Sequence, residues 1–253
     1  MPELAISLTL FAAGIAGGVA NAVAGGGTFS TFPAFLAAGV PPVTANASNS
    51  IAVWPGHALA ALGYRTEIAR RCKGIFSSIL IALAGGIAGA LLVTVVSNHA
   101  FSVLIPFLLL VATLLFAFGA SLSSWLSSNA ELSQSNLFSR CLEFAIAVYG
   151  GFFGAGLGVM LMAGLLVLGV RDMQTNNALK NLLGAVANSA AVVVFAFSGI
   201  VSWPHTLIVF AGASIGGLLG ARFARRLAEV WLRRIVIATG CALTVHYFRI
   251  YYG

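Results

Sequence analysis

Long apolar runs dominate this sequence of 253 residues, and their length limits what the chain can fold into. A helix of about 20 apolar residues matches the hydrocarbon thickness of a bilayer. Eight runs reach that length, at 4–24, 43–64, 74–97, 101–122, 138–157, 175–199, 205–224 and 232–250. Because lipid offers no partners to free backbone groups, we predict an all-α polytopic membrane helical bundle of about eight spans.

The composition agrees with a membrane protein and excludes several other classes. Hydrophobic residues make up 60% of the chain and charged residues 8%, against about 25% charged residues in soluble domains. The runs are too long for the alternating strands of an outer-membrane barrel, so we expect a multi-pass helical protein of an inner membrane. The net charge of +7 comes from residues at segment ends rather than from a basic soluble module, which argues against nucleic-acid binding.

Two further apolar segments, at 28–39 and 159–169, are too short to span a bilayer. A helix of about twelve residues is about 18 Å long, whereas the hydrocarbon core is about 30 Å thick. We therefore predict two short helices that are half helices or re-entrant. Each follows a glycine cluster, and the clusters are Gly25, Gly26 and Gly27, then Gly154, Gly156 and Gly158.

The two glycine-broken segments match each other at an offset of about 131 residues, roughly half the chain. Gly25 then aligns with Gly156, and Asn49 aligns with Lys180 or Asn181. Interrupted apolar segments at corresponding positions of two halves indicate the binding site of a secondary transporter. We predict a first repeat at 1–122, a serine-rich linker at 123–137 and a second repeat at 138–253.

The positions of lysine and arginine predict the orientation in the membrane, because cytoplasmic loops carry an excess of both. If each short segment reverses the chain, nearly all basic residues fall on one side, which we assign to the cytoplasm. Both termini then lie outside, and the two repeats are inverted. The residues on the basic side are Arg65, Arg70, Arg71, Lys73, Arg140, Arg171, Arg222, Arg225, Arg226, Arg233 and Arg234.

The glycine clusters and the helices after them make the strongest candidate site. The short helices are expected to begin near Thr28 and Val159. The first amides of a helix have no intrahelical partner, and the helix dipole adds positive potential there. Two such ends that face each other would bind an anion. The alternative is that glycine serves only close helix packing.

Asparagines form a polar stripe in each half. Asn177, Asn181 and Asn188 fall on one face of a helix with Gly184, and Asn46 and Asn49 form a shorter stripe on the matching helix. Asn21 precedes the first glycine cluster, and Ser48 precedes Asn49. Amides within a bilayer face the bundle interior, so these side chains either line a substrate pathway or only join helices to each other.

Few ionisable residues lie within the predicted spans. Lys180 is a candidate substrate ligand, although a lysine near a helix end can also extend to the interface. His57 is a candidate proton relay, with a purely structural hydrogen bond as the alternative. Glu143 lies one turn from Arg140, which predicts a local ion pair.

Other kinds of chemistry have no sequence support. There is no GxxxxGK[ST] motif for ATP, no HExxH motif and no spacing for zinc or disulfides among Cys72, Cys141 and Cys241. We therefore expect no catalytic residues, no cofactor, no metal and free thiols. A channel built from re-entrant helices remains an alternative to a carrier.

Several stretches together resemble the sulfite exporter TauE/SafE family of membrane transport proteins. The likeness covers most of the chain in the right order, although Ser48 stands where the family tends to carry threonine. The stretches are AGGVANAVAGGGTFSTFPAFLAAGVPP, ASNSIAVWPG, GAGLGVMLMAGLLVLG with ALKNLLGAVAN, and GIVSW followed by GASIGGLLGARFARRL.

The resemblance implies export of small sulfur oxyanions such as sulfite, sulfoacetate and related sulfonates. It does not identify the individual anion, the coupling ion or the oligomeric state, for which a homodimer is one expectation. Membrane lipid is the other expected partner. Since the predicted spans hold no series of buried carboxylates, we predict that the membrane potential can drive export without an obligatory proton.

Overall fold

The computed structural model describes residues 2–63, 65–70, 75–128, 136–223 and 229–253, and within these ranges the chain is entirely helical apart from short turns. The helices in this part of the chain are α1 (Pro2–Ala24), α2 (Thr28–Ala37), α3 (Pro42–Gly63), α4 (Arg65–Arg70), α5 (Ile75–Val95), α6 (Asn98–Ser128), α7 (Asn136–Phe152), α8 (Leu157–Val167), α9 (Met173–Ser198), α10 (Trp203–Phe223) and α11 (Glu229–Tyr252).

The eight predicted long runs each coincide with a long helix, and both predicted short segments are short helices of 10 and 11 residues. Within the described residues, five helices are long and apolar enough to cross a membrane, namely α1, α5, α6, α9 and α10. The all-α membrane bundle is therefore supported, whereas the number of eight spans stays a prediction.

The other three long helices, α3, α7 and α11, do not reach the length or the hydropathy of a membrane span, and their sequences explain this. α3 carries asparagines, two prolines and His57, and α7 has 17 residues, among them Arg140 and Glu143. α11 carries charges at its start and His246 and Arg249 near its end. Polar residues of this kind lower the hydropathy of a helix and suit a place inside a bundle.

The predicted linker is helical at both ends. α6 continues to Ser128 and is the longest described helix at 31 residues, and α7 begins at Asn136. Residues 129–135 lie outside the described ranges, as do Arg71, Cys72, Lys73, Arg225 and Arg226. Cys141 and Cys241 are exposed free thiols.

Two pairs of helices pack with their backbones in contact. A β-carbon on Gly18 of α1 would overlap the carbonyl oxygen of Ala213 on α10. A β-carbon on Gly89 of α5 would overlap the carbonyl oxygen of Val148 on α7. Small residues one turn apart allow such approach between membrane helices. We call these contacts the α1–α10 seam and the α5–α7 seam.

Both seams join parallel helices, because contacts advance in the same direction along both partners. In the α1–α10 seam, Gly14 packs against Gly212 and Gly18 against Gly217. The α5–α7 seam shows the same order, since Gly85 packs against Ala147 and the next turn of α5 against Gly151.

α6 and α11 run antiparallel beside each other. The hydroxyl of Tyr252, at the end of α11, donates to the carbonyl of Val103 near the start of α6 at 3.1 Å. Arg233, near the start of α11, donates to the carbonyl of Phe116 at 2.8 Å. Between them, Gly240 packs against Thr113, so the helices cross near their midpoints.

Contacts between helices repeat in pairs across the two halves. α1 packs on α10 as α7 packs on α5, and α10 packs on α3 as α5 packs on α9. α2 lies between α1 and α3 as α8 lies between α7 and α9, and α3 contacts α9 directly. Large aromatic side chains fill the space around α2, where Phe29, Phe32 and Phe35 are at most 2% exposed.

Candidate functional site

The chain reverses direction at two breaks, at 25–27 between α1 and α2 and at 153–156 between α7 and α8. We call them the first and second break. After the first break, α2 folds back along α1, so that Thr31 packs on Gly17. After the second, α8 folds back along α7, so that Leu157 packs on Gly150 and Gly164 on Ile146.

The same glycine conformations flank both short helices. Gly25 and Gly156 both have a φ of +76°, and they lie 131 positions apart, the offset derived from the sequence. Behind the short helices, Gly39 and Gly169 have φ values of +80° and +81°. Left-handed backbone of this kind favours glycine, because any β-carbon strains it. The breaks differ in detail, because Gly27 at the start of α2 is right-handed whereas Gly154 and Gly156 are both left-handed in the second break.

Neither short helix has a side chain that caps its first amides, as far as the described residues show. The N-cap position is Gly27 in α2 and Gly156 in α8, and neither forms a side-chain hydrogen bond. Several of the first amides donate within the breaks, Phe29 to Gly26 and Leu157 to Gly154 among them, but the positive end of each helix dipole still faces the break. Both starts can therefore hold an anion.

Both helix starts lie against the middle of α6. Phe29, in the first turn of α2, packs on Phe116 with ring centroids 5.6 Å apart. Gly156 lies against Ala112, with a β-carbon there 3.6 Å from the α-carbon of that alanine. Ala112 and Phe116 are one turn apart on α6. The two breaks therefore lie at about the same level along this helix, near its crossing with α11.

Asn49 is joined to the start of α2. Its side-chain oxygen accepts a hydrogen bond from the hydroxyl of Thr31, and both side chains are at most 1% exposed. The backbone amide of Thr31 in turn donates to the carbonyl of Gly27 at 3.2 Å. Thr28 and Gly26 are also buried here, with Gly26 against Val236 of α11.

Lys180 lies beside the start of α8. Its ammonium donates to the side-chain oxygen of Asn177 at 3.0 Å. Its Cδ is 3.8 Å from the place where a β-carbon on Gly158 would be. The structure thus brings a fixed positive charge to the second helix start, where the first has the neutral Asn49.

The remaining predicted residues occupy different places. Asn21 approaches Gly56, whose β-carbon would collide with the side-chain nitrogen of that asparagine. Ser48 accepts a 3.0 Å hydrogen bond from the backbone amide of Ser202, so it joins α3 to α10. Asn181 is half-buried on α9.

Asn188 is buried and bonds within its own helix. Its side-chain amide donates to the carbonyl of Gly184 at 3.1 Å, and its oxygen faces Gly154 in the second break. It therefore lies at the second break rather than beside Lys180.

Two polar residues that hold the breaks, Thr31 and Tyr149, were not among the predicted site residues. Thr31 orients Asn49, and the hydroxyl of Tyr149 donates to the carbonyl of Ala155 at 2.8 Å across the second break. The sequence offered one indication of Thr31, namely a hydroxyl side chain one turn after the start of the short helix. Nothing in the sequence pattern distinguishes Tyr149 from an interfacial aromatic residue.

The predicted ion pair of Glu143 and Arg140 is confirmed. Arg140 donates to a carboxylate oxygen of Glu143 at 2.9 Å and also to the hydroxyl of Ser78 on α5. Glu143 is 3% exposed, whereas the side chain of Arg140 is 40% exposed. The pair joins α7 to α5 beside their seam, and Glu143 also lines a small cavity with Leu161 and Leu165 of α8.

Comparison with known proteins gives a consistent result. The family model for the sulfite exporter TauE/SafE matches residues 10–247. A probable membrane transporter protein, ORF9, of a Sinorhizobium species is 29% identical over 97% of this chain and 94% of its own length. A probable membrane transporter protein of Haemophilus influenzae is 27% identical, covering 93% and 91%.

A third relative, the probable membrane transporter protein YfcA of Escherichia coli, is 25% identical over 95% of this chain and 88% of its own length. No solved structure matches the chain. The family match covers both breaks and at least part of every long helix. Five of these helices are long and apolar enough to cross a membrane. This chain therefore belongs to the sulfite exporter TauE/SafE family and is a multi-pass membrane transport protein.

Proposed function

We propose that this protein is a secondary transporter that exports small anions, sulfite or organosulfonates, across the bacterial inner membrane. The observation that carries the proposal is the pair of uncapped helix starts at one level of the bundle, with Lys180 beside the second. Helix starts and a cation both favour a negative ligand. The family name supplies the choice of sulfur oxyanions.

The two halves, 1–122 and 138–253, would form inverted repeats around this site. The support is that equivalent helices run antiparallel where they touch. α6 and α11 do so, as the bonds of Tyr252 to Val103 and of Arg233 to Phe116 indicate, and the equivalent helices α3 and α9 are also in contact, with Trp54 donating to Ser189. A two-fold axis in the membrane plane produces this arrangement.

Export would use the membrane potential. An interior-negative potential drives an anion outward by about 2.3 kcal/mol per charge per 100 mV, roughly a fifty-fold gradient. The basic loops would lie in the cytoplasm, where they attract anions before transport.

The test is flux into and out of vesicles that contain the purified protein. Sulfite, sulfoacetate, sulfate and a carboxylate are each offered, and saturable uptake with counterflow of sulfite or a sulfonate supports the proposal. Single-channel currents would instead favour an anion channel with re-entrant helices. Equal transport of sulfate and carboxylates would contradict the proposed preference for sulfite or sulfonates. No flux of any of these anions would contradict the proposed function.

A further inference from the structure

A half-buried arginine, Arg233 of α11, lies next to the first break. One turn later on the same face of α11, Val236 packs on Gly26, where a β-carbon would come within 2.8 Å of its methyl groups. The Nε of Arg233 donates to the carbonyl of Phe116 at 2.8 Å. The ring of Phe116 packs on Phe29 in the first turn of α2. The guanidinium therefore lies among residues that contact both the first break and the start of α2.

The side chain of Arg233 extends towards the middle of the bundle. α6 and α11 are antiparallel, and Gly240 packs on Thr113 where they cross. Arg233 is about 10 Å from Gly240 along α11, whereas Phe116 is only about 5 Å from Thr113 along α6. The bond to Phe116 thus brings the guanidinium beside Asn98–Gly119, the part of α6 that is apolar enough to cross a membrane. An arginine that snorkels to the interface extends in the opposite direction.

Neither a helix end nor a carboxylate accounts for this arginine. The carbonyls of Phe116 and Ala117 lie inside α6, which continues to Ser128, so both have intrahelical partners and need no cap. The second of the two bonds, from Nη2 to Ala117, is long at 3.5 Å. The salt bridge that the described residues form is on α7, and Arg233 has no carboxylate partner among them. Unpaired charges at membrane depth mark binding sites or pathways.

The free edge of the guanidinium suits one class of ligand. Arginine has five N–H donors and no acceptor, and Arg233 uses one of them in a short bond and one in a long bond. The remaining donors are on the two terminal nitrogens, Nη1 and Nη2. Parallel N–H groups on neighbouring nitrogens bind two oxygens of one oxyanion. A halide has one centre and cannot be bound in this way, and a water does not balance the charge.

We propose that Arg233 is a substrate ligand, and that its terminal nitrogens hold two oxygens of sulfite or a sulfonate as the anion approaches the first break from the predicted cytoplasmic side. This inference rests on the proposed function, because it assumes that the transported ligand is an oxyanion. Each break then has its own cation. Lys180 supplies a point charge at the second break, and Arg233 supplies a planar, bidentate donor at the first.

The first test uses the wild-type protein, so that it does not rely on any variant folding. Purified protein is treated with phenylglyoxal, which modifies arginine, with and without saturating sulfoacetate. The rate at each arginine is followed by mass spectrometry of peptides. We expect sulfoacetate to slow modification of Arg233 at least fivefold and to leave Arg234, which is exposed and lies over Trp231, unchanged. Equal rates at Arg233 with and without sulfoacetate would overturn the proposal.

The second test measures the Kd of sulfite and sulfoacetate by calorimetry at an ionic strength of about 0.15 M, where distant charges are screened. Arg233→Gln should weaken binding at least tenfold. Arg233→Lys should weaken it at least threefold, because lysine keeps the charge but lacks the two parallel donors. Unfolding midpoints of both variants show whether they are folded. Wild-type affinity in Arg233→Gln would contradict the assignment.

Two matched controls separate a ligand from other roles. Arg234→Gln removes the same charge one residue away, and Glu229→Gln removes the carboxylate that stands four residues before Arg233 in the sequence. Both should bind as the wild type does. Weakening in Arg234→Gln equal to that in Arg233→Gln would show an effect of net charge alone. The same weakening in Glu229→Gln would show that Arg233 serves an ion pair within α11, and either result would overturn the proposal.

Flux into vesicles distinguishes failure of this inference from failure of the proposed function. If the wild type exports sulfite and Arg233→Gln does so with an unchanged KM, the ligand is wrong and the function stands. If the wild type neither binds nor transports any oxyanion, both are wrong.

Discussion

The hydroxyl of Thr31 donates a hydrogen bond to the side-chain oxygen of Asn49, and this contact joins the first turn of α2 to the middle of α3. Both side chains are buried, at 0% and 1% exposed. If the start of α2 binds substrate, Asn49 is held in position by this bond and its side-chain nitrogen is left to face other groups.

Two substitutions of Thr31 should distinguish the contribution of its hydroxyl from that of the rest of its side chain. Thr31→Val keeps the shape but leaves the oxygen of Asn49 without its donor, which costs about 1–3 kcal/mol for a buried group. We expect reduced transport and a lower unfolding midpoint in detergent. Thr31→Ser restores the donor and should recover most of both. If Thr31→Val and Asn49→Ala each transport normally at normal protein levels, this residue pair is not part of the pathway.

Lys180 should contribute through its charge. Lys180→Met removes the charge beside the start of α8 and should raise the apparent KM for the anion about tenfold, which corresponds to about 1.4 kcal/mol. Lys180→Arg keeps the charge and should raise KM less. The measurement is initial uptake into vesicles over a range of substrate concentrations. An unchanged KM in Lys180→Met would place the lysine at the membrane interface instead.

The seams predict which glycines cannot be replaced. Gly18→Ala and Gly89→Ala each place a methyl group into a backbone carbonyl of the neighbouring helix. Overpacking of this kind costs about 1–3 kcal/mol, so the unfolding midpoint should fall in both variants. Gly217→Ala is the control, because a β-carbon there meets nothing within 4 Å. A loss of stability in the control equal to that in Gly18→Ala would contradict this account.

The orientation of the repeats can be read from two equivalent turns. Pro41 and Arg171 are both exposed and follow the left-handed glycines Gly39 and Gly169. Inverted repeats place these turns on opposite sides of the membrane. In a chain without native cysteines, Pro41→Cys should react with an impermeant maleimide in intact cells, and Arg171→Cys should react only after lysis. Labelling of both from one side would show that the repeats are not inverted.

His57 distinguishes the two driving forces. We expect His57→Ala to keep potential-driven flux, because the anion's own charge supplies the coupling. The assay sets a potassium-diffusion potential across vesicles with no pH gradient and follows the substrate. Flux that ignores the potential, follows a pH gradient and disappears in His57→Ala would establish proton-linked exchange instead.

Much of the helical arrangement could be predicted from residue patterns. The apolar runs located the eight long helices, and glycine clusters located the breaks, because glycine is the residue that a left-handed turn requires. The extent of α6 was not foreseen, since serine and tryptophan in 121–128 read as a polar linker although they continue the helix to Ser128. α4 is too short to have a pattern of its own.

The candidate site was harder to predict, because its residues meet only through packing. Asn49 and Lys180 were identified from their positions, but the donor that Thr31 supplies depends on α2 folding back beside α3. Ser48 was expected with the site, yet its hydroxyl accepts from Ser202 of the other half. Contacts of this kind join residues 154 positions apart and leave no periodic signal in the sequence.

The two glycine seams have a consequence for movement. Backbones in contact cannot slide past each other without collision, so each seam moves as one rigid unit. α1 is therefore tied to α10, and α5 to α7, although each pair draws one helix from either half of the chain. The proposed transport cycle would then move units assembled from both halves of the chain rather than one proposed repeat against the other.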